Sequence, residues 1–378
     1  MNDPNEASDA GSEGEIGRFS LGPSDEIQRI LISTPARFVG QFERPWIAIQ
    51  HAWPPFQAGR RDWICHPDSP LGRTALVLAF RTPPTSKAPG VVVPNYEGMG
   101  NHVAGLLSVL FGKRFDVHGP LQMSGNYGVP DLTRFTAPID PTTPWTRGEP
   151  RVDHPLPLNL GQISRVEALL VPDNDEARTI FNGAAAFYRR ALQAIEDDPE
   201  VAYLHLVTAG EILSRTIPFD DERHLDENAR DILRVVEALE GGPRMANVLR
   251  ARIRGIKKRF VDTLVGQIDD AFFDNREAKR EFEALSREEF ERRVAAAYDL
   301  RSQHVHSGFE FGAWIAADGV CAEIQAGKPV LPDKELARIM HKAPRFCGLE
   351  RIVRYAILGY GREIGVQLTC LDTDVSSD

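Results

Sequence analysis

The sequence predicts an α+β protein in which a β-rich or mixed N-terminal domain precedes an all-α helical bundle. Its 378 residues, 42% of them hydrophobic, exceed what one ordinary core uses and suffice for two. Twenty of the 27 prolines lie at or before Pro157, and proline removes a backbone donor and breaks helices. Farther along the chain, apolar residues recur at the three- and four-residue spacing of helices. We therefore expect two halves with different architectures.

Short apolar runs bounded by proline and glycine characterise the first half. The runs Trp46–Ile49, Ala75–Phe80 and Gly90–Val93 predict strands, and a helix-like stretch from His102 to Leu110 lies among them. The predicted divisions of the chain are a disordered acidic tail (1–25), a β-rich or mixed sensor or regulatory domain (26–157), a linker (158–171), a helical domain (172–365) and a second tail (366–378).

Six helices are predicted in the second half, and their ends are marked by capping residues, proline or glycine. The first begins after the capping-box pair Asp173 and Glu176, and the second begins at Pro199. The third covers about 227–240, and the fourth runs from Pro243 through Leu264. The fifth runs from Ser286 to near Gly308, and the sixth spans about 348–360. The second half is therefore interpreted as an all-α bundle.

Composition excludes several classes of protein. No run approaches the roughly 18 apolar residues of a membrane helix, and the N-terminus lacks the basic and apolar pattern of a secretion signal. The four cysteines are scattered without a CxxC pair, which argues against a disulfide framework or a zinc site and fits the cytoplasm. We predict no metal and no other cofactor. The net charge of -10 argues against coating nucleic acid through net charge, but it allows a local basic patch.

The segment 298–308 of the fifth predicted helix is the most informative part of the chain. Its apolar stripe runs through Phe290, Val294, Tyr298 and Val305. Counting by three and four places Arg301 on this stripe. A guanidinium that faces a core or an interface needs an anionic partner or ligand, because it keeps its charge. His306 follows five residues later, just before Gly308, which is suited to end the helix.

This segment and the helices before it resemble the HEPN superfamily, and within it the Apea-like branch, over about residues 172–365. The resemblance rests on Tyr-x-x-Arg-Ser-x-x-x-His-x-Gly at 298–308, on Phe187–Leu192 in an early helix, and on Gly210 before Glu211 in the helical stretch Ala202–Leu213. It does not extend to the N-terminal half. The Arg-x4-His spacing alone carries little weight, since chance supplies about one such pair in a chain this rich in arginine. Position on a late helix gives the pair its significance.

The resemblance implies a metal-independent endoribonuclease that acts on RNA as a homodimer, in antiviral defence or a toxin system. A ribose 2′-hydroxyl would attack the adjacent phosphate, with Arg301 binding the phosphate and His306 transferring the proton. The N-terminal domain, a regulatory partner or an antitoxin would restrain it. Alternatively, Arg301 pairs with a carboxylate such as Glu211 and His306 caps the helix, in a non-catalytic scaffold that binds RNA or a protein. Ser302 stands where many members of the superfamily have Asn, Asp or His.

Helix geometry complicates this assignment. Five residues of an ideal helix leave Arg301 and His306 about 140° apart, whereas His304 lies closer to the face of Arg301. Either the helix unwinds before Gly308 or the site combines residues of two protomers, so His304 remains a secondary candidate.

A second candidate is the basic run from Arg244 to Arg259, which contains no acidic residue. Phosphate backbones attract such a run. The predicted RNA-binding residues are Arg250, Arg252, Arg254, Lys257, Lys258 and Arg259. The alternative is a solvated helix face whose charges pair with the Asp and Glu residues between Asp262 and Glu289.

Overall fold

The computed structural model describes residues 25–52, 72–84, 88, 90, 95–133, 139–140, 142–171, 175–218, 220–225, 227–252, 255–317 and 321–368, without the side chains of 221, 222 and 250–252. The predicted strand at Gly90–Val93, the tail 1–24, Asp173 and Arg254 therefore lie outside the described residues, apart from residue 90 itself.

A six-stranded antiparallel sheet forms the N-terminal half. Its strands are β1 (Glu26–Thr34), β2 (Phe42–Arg44), β3 (Ile47–His51), β4 (Thr74–Thr82), β5 (Asp116–Met123) and β6 (Asn126–Tyr127), in the order β2-β3-β4-β1-β5-β6. The strands predicted at 46–49 and 75–80 are confirmed as β3 and β4. β1 pairs with β4 along its whole length, from Glu26 opposite Thr82 to Thr34 opposite Thr74. This central position explains the burial of its second half.

One helix, α1 (Glu97–Phe111), packs on this sheet and confirms the helix predicted from His102 to Leu110. Its Gly100 lies so close to the sheet that a Cβ atom there would come within 2.9 Å of Ile30 and 3.2 Å of Val117. Gly112 ends the helix in the left-handed conformation with a φ of 62°, which glycine adopts without steric cost.

The stretch predicted as a linker is packed against the core. Leu160–Val166 forms a 3₁₀ helix and Glu167–Leu170 forms the short helix α2. Leu160, Ile163 and Leu170 are buried completely. Residues 158–171 are therefore held by apolar burial and do not form an exposed connection between the two halves.

Beyond residue 171 every regular element among the described residues is helical, and the class is mixed α+β. The helices are α3 (Glu176–Ala194), α4 (Pro199–Leu213), α5 (Asp221–His224), α6 (Glu227–Glu237), α7 (Gly242–Arg252), α8 (Ile256–Gly266), α9 (Asp270–Asp274), α10 (Phe290–Ser307), α11 (Gly312–Ile315), α12 (Lys334–Lys342) and α13 (Phe346–Glu363), with short 3₁₀ turns at Ser214–Thr216, Glu281–Glu283 and Arg287–Glu289. The single helix predicted from Pro243 through Leu264 is wrong. Gly255 has a φ of 52° and separates α7 from α8.

The apolar interiors of the two halves are continuous. One cluster of buried apolar residues extends from Ile30 in β1 to Leu368 after α13, so Val366 and Leu368 of the predicted tail belong to the core. A small separate cluster is formed by Leu225 after α5, Leu233 in α6 and Ala246 in α7. No helix among the described residues is long and apolar enough to cross a membrane.

A buried charge network joins the proline-rich segment before residue 157 to helix α13. We use this name for Arg151, Asp153, Glu277, Glu323, Glu350, Arg351 and Arg354. Arg151 makes a bidentate ion pair with Glu350, with both N–O distances at 2.8 Å. Arg354 pairs with Asp153 at 3.0 Å, and Arg351 with Glu323 at 2.8 Å. Buried charges persist only where opposite charges and hydrogen bonds compensate their lost hydration, and this network supplies both.

Candidate functional site

Helix α10 (Phe290–Ser307) carries the residues predicted to be catalytic. It packs against α4, α8 and α12 through a buried face that includes Val294, Ala297 and Leu300. The predicted apolar stripe does not continue to the end of the helix, because Val305 is 52% exposed. The last turn of α10 therefore leaves the core, and Val305, His306 and Ser307 are exposed to solvent.

Arg301 lies where α10 emerges from the core. Its Nη2 atom is 3.5 Å from Oε2 of Glu211, and its Cζ atom is 5.8 Å from the centre of the Tyr298 ring. The side chains of Arg301 and Glu211 are 26% and 20% exposed. Glu211 is the one hydrogen-bond partner of Arg301 among the described residues. A guanidinium has five N–H donors, so the other donors of Arg301 have no hydrogen-bond partner among the described residues and are available to a ligand that reaches the exposed part of the side chain.

Tyr298 and Glu211 support the position of Arg301. The ring of Tyr298 packs against Phe260 with centroids 5.4 Å apart. Burial, followed by the negative charge of Glu211, raises the pKa of Tyr298, while Arg301 acts in the opposite direction. The site thus brings together a phenol, a carboxylate and a guanidinium at the half-buried junction of α4 and α10.

Gly210 allows α4, which carries Glu211, to approach α8 closely. A Cβ atom at position 210 would lie 2.5 Å from Cε2 of Phe260 and 3.1 Å from its Cδ2. The small residue before Glu211, noted in the sequence, is thereby explained by helix packing.

We expect Gly210→Ala to lower the free energy of unfolding by about 1–3 kcal/mol, because the added methyl group overpacks the contact with Phe260. Urea denaturation followed by circular dichroism measures this change. Gly183→Ala is a matched control in helix α3, since its Cβ would meet Ile212 at an ordinary 3.4 Å. Equal effects of the two substitutions would contradict the packing explanation.

The two histidines of the last turn have different surroundings. Nδ1 of His304 lies 2.8 Å from the carbonyl oxygen of Phe309 and must donate to it, since a carbonyl only accepts. The His304 ring also packs against Phe311 with centroids 5.4 Å apart. His306 is exposed and has no hydrogen-bond partner within the described part of the chain. His304 therefore helps to fix the chain after the helix, whereas His306 is open to solvent.

Helix α10 is continuous through Ser307, and Gly308 ends it with a φ of 66° while donating its N–H to His304. The helix does not unwind between Arg301 and His306, so ideal geometry leaves these side chains about 140° apart. One copy of the chain does not bring them together. Ser302 is half-buried beside Arg301, and helical projection places it about 40° from His306, four residues on, and about 160° from His304.

Among the predicted RNA-binding residues, those in α8 are largely paired. Lys257 lies 2.6 Å from Asp299, and Lys258 lies 2.8 Å from Asp262 and 3.4 Å from Glu291. The hydrogen bond to Asp262 raises the pKa of Lys258. Nη2 of Arg259 donates a hydrogen bond of 2.8 Å to the carbonyl of Ser214, which follows α4. The side chains of Arg250 and Arg252 are not described, and Arg254 lies outside the described residues.

An open cleft of about 550 Å³ lies beside the paired lysines. It is lined in part by Arg223, His224, Arg230, Lys257, Lys258 and Glu291. Of its four Arg and Lys side chains, Arg223, Lys257 and Lys258 are paired with Asp262, Asp299 or Glu291. A phosphate group in this cleft would therefore have to compete with these carboxylates. Lys257 of this lining pairs with Asp299, which lies in α10 two residues before Arg301.

Sequence reasoning did not identify a second, polar cleft of about 330 Å³ between α1 and α3. Asn101, His102, Asn182, Arg189 and Arg190 line it. Nε2 of His102 donates to the carbonyl of Leu169 at 2.7 Å, and burial lowers the pKa of this histidine. The Arg189-Arg190 pair within an otherwise apolar helical pattern was the signal in the sequence.

The described residues contain no group of three or more His, Cys, Asp or Glu side chains arranged to hold a metal ion. No family model, curated protein or solved structure matches this chain.

Proposed function

We propose that the chain is a metal-independent endoribonuclease of the HEPN type, similar to the Apea-like branch, that cleaves RNA through attack of a ribose 2′-hydroxyl. The observation that carries the proposal is Arg301, a half-buried guanidinium that holds one carboxylate by one N–H and keeps most of its donors open. Its planar fork suits two oxygens of a phosphate. Positive charge at that point stabilises the negative charge that develops on phosphorus during the attack.

His306 supplies the proton transfer in this proposal. Imidazole titrates near neutral pH and suits the acid and base steps at the 2′-hydroxyl and the leaving 5′-oxygen. Because α10 remains helical, Arg301 of one copy would act with His306 of a second copy. His304 is the weaker candidate, since its Nδ1 atom is already bound to Phe309.

The N-terminal half would regulate this activity, in a system for antiviral defence or as a toxin. The buried charge network pairs Arg151 and Asp153 with Glu350 and Arg354 of α13, so a ligand or partner of the N-terminal half would have a direct connection to the helices. A regulatory partner or an antitoxin would restrain the activity in addition, because unrestrained cleavage of cellular RNA is harmful to the host.

The second candidate is a non-catalytic scaffold that binds RNA or a partner protein through the helical half. The contact between Arg301 and Glu211 favours it, because this is the pairing expected if the arginine serves the fold. In that case Arg301→Ala changes stability and leaves every other property intact.

We expect the purified chain to cleave RNA in EDTA and to leave 2′,3′-cyclic phosphate ends. Arg301→Ala and His306→Ala should each reduce cleavage about 100-fold or more, because they remove the phosphate ligand and the proton donor. Cleavage of a labelled RNA, with analysis of the product ends, measures the effect. Arg292→Ala, at an exposed position of the same helix, is the matched control and should cleave normally.

Mixing the two inactive variants tests the shared site. If Arg301 and His306 act across two copies, equal mixing restores about a quarter of the wild-type activity, since half of the dimers carry one intact site of two. A site within one copy regains nothing. Cleavage that survives both substitutions contradicts the proposed site. A folded wild-type protein that cuts no RNA, and whose expression does not arrest cell growth, favours the non-catalytic scaffold.

A further inference from the structure

The polar cleft between α1 and α3 opens beside the point where these two helices touch. A Cβ atom at Gly105 would lie 3.5 Å from the backbone of Ala185, so the helices are in contact there. The residues of α1 that line the cleft, Gly98, Asn101 and His102, all precede Gly105. With a volume of about 330 Å³, the cleft is at the small end of the range for small-molecule sites. One wall belongs to the N-terminal half and the other to the helical half.

The lining of this cleft is positively charged in a protein whose net charge is -10. The described residues that line it include Arg189 and Arg190 and no Asp or Glu. Glu97, in the first turn of α1, is exposed and is not part of the lining. Gly98 belongs to the same turn, where the N–H groups of the helix carry a partial positive charge. The cleft therefore favours an anion.

The two arginines present their guanidinium groups in different ways. Arg189 is 7% exposed, and its Nη2 atom donates to Oδ1 of Asn101 at 3.0 Å, which orients the group in the wall. Arg190 is exposed and forms no ion pair with a described residue. Its Cζ atom lies 5.0 Å from the centre of the Phe187 ring. A guanidinium placed over a ring keeps the N–H groups of its edge for a ligand.

His102 and Asn182 add hydrogen-bond acceptors to the lining. Nε2 of His102 donates to Leu169 and burial lowers the pKa of this ring, so its Nδ1 atom is an acceptor. Oδ1 of Asn182 is buried and has no hydrogen-bond partner among the described residues. A buried acceptor of this kind costs free energy until a donor reaches it. A ligand with hydroxyl groups supplies donors to both side chains once the amide of Asn182 rotates toward the cleft.

We propose that this cleft binds a small phosphate monoester that carries hydroxyl groups, as a sugar phosphate does. Near neutral pH a phosphate monoester carries about two negative charges. Two guanidinium groups and the start of α1 match this dianion better than they match the single charge of a carboxylate or a phosphodiester. A free sugar phosphate and the sugar phosphate part of a mononucleotide offer the same groups, and the test separates them.

This inference goes beyond the proposed ribonuclease and does not rest on it, since binding is measured without RNA. A ligand held by α1 and α3 contacts both halves of the chain. It therefore stabilises the folded state by mass action and raises the midpoint of thermal unfolding.

We expect calorimetric titration of the full chain to show binding of ribose 5-phosphate or of uridine 5′-monophosphate, and the tighter of the two identifies the source. Arg190→Gln should weaken this binding about tenfold or more, because it removes the exposed guanidinium. Ala186→Met should weaken it by a similar factor, because the longer side chain fills the cleft while both arginines remain. Arg215→Gln, at an exposed arginine after α4, is the matched control and should bind like the wild type.

Inorganic phosphate tests whether the ester is recognised beyond its charge. It should bind about tenfold more weakly than the better ester, since it lacks the hydroxyl groups for Asn182 and His102. Equal binding of inorganic phosphate overturns the assignment to an ester. The site itself is overturned if neither ester binds or raises the unfolding midpoint at up to about 10 mM, or if Arg190→Gln binds as well as the wild type. Circular dichroism checks the fold of both variants, and either folded variant suffices for the comparison.

Discussion

Glu350→Gln is expected to lower the free energy of unfolding by about 3–5 kcal/mol, because it leaves a buried guanidinium without its main counter-charge. The side chains of Arg151 and Glu350 are 0% and 1% exposed, and the pair is bidentate. The hydroxyl of Tyr188 donates to the same carboxylate. Glutamine has nearly the size of glutamate, so the loss measures charge and hydrogen bonding and not an empty cavity.

Urea denaturation of the full chain at neutral pH, followed by circular dichroism, measures this loss. The matched control is Glu335→Gln in α12, whose ion pair with Arg338 lies at the surface. The control should leave the midpoint unchanged, as is typical of exposed ion pairs. A loss below about 1 kcal/mol in Glu350→Gln would mean that water reaches the network and replaces the missing charge.

The network also determines how much of the fold the sequence could predict. Positions 350, 351 and 354 look like the solvated face of an amphipathic helix, yet α13 is buried on all sides from Phe346 to Gly361. Their partners Arg151, Asp153 and Glu323 come from distant loops, and no local pattern signals such pairing. The predicted division near residue 157 followed composition, whereas the core and these ion pairs cross it.

Features set by local chemistry were predicted well. Pro199 begins α4 with Asp198 as its cap, and Gly308 ends α10 in the left-handed conformation. The start of α3 was placed near Asp173, whereas Asp175 accepts the capping hydrogen bond from Arg178. Strands β1 and β5 were missed, because polar residues in β1 and Gly119-Pro120 in β5 obscure the alternation.

In the candidate site, too, features within one helix were predicted, whereas most features that depend on packing between helices or copies were not. Arg301 and Glu211 were named from the sequence, and the structure brings them into contact. Residue spacing supported the prediction for Arg301, because spacing within one helix indicates which face of that helix a side chain lies on. One copy does not bring Arg301 and His306 together, and the sequence left open whether the helix unwinds or a second copy completes the site. Pairing of Lys257 with Asp299 depends on how α8 packs on α10, which the charge run itself does not encode.

His154→Gln is expected to flatten the loss of stability in acid. His154 lies beside the network, and burial, together with the positive charge of Arg354, lowers its pKa to about 3. Asp153 acts in the opposite direction, and Arg165 and Arg362 add to the effect of Arg354. An unfolded histidine has a pKa of about 6.5, so between these values the unfolded chain binds the proton that the folded chain excludes.

Stability from this group is therefore complete above about pH 6.5 and declines as the pH falls toward 3, by about 1.4 kcal/mol per pH unit. The free energy of unfolding, measured at pH 7.5 and pH 5, should fall by about 2 kcal/mol more in the wild type than in His154→Gln. Any constant cost of the substitution cancels in this comparison. The lowered pKa of Asp153 and Glu277 acts in the same direction at lower pH and is shared by both proteins. Parallel pH profiles would show that His154 accepts a proton in the folded state as readily as in the unfolded chain. Water would then reach the buried charge network beside it.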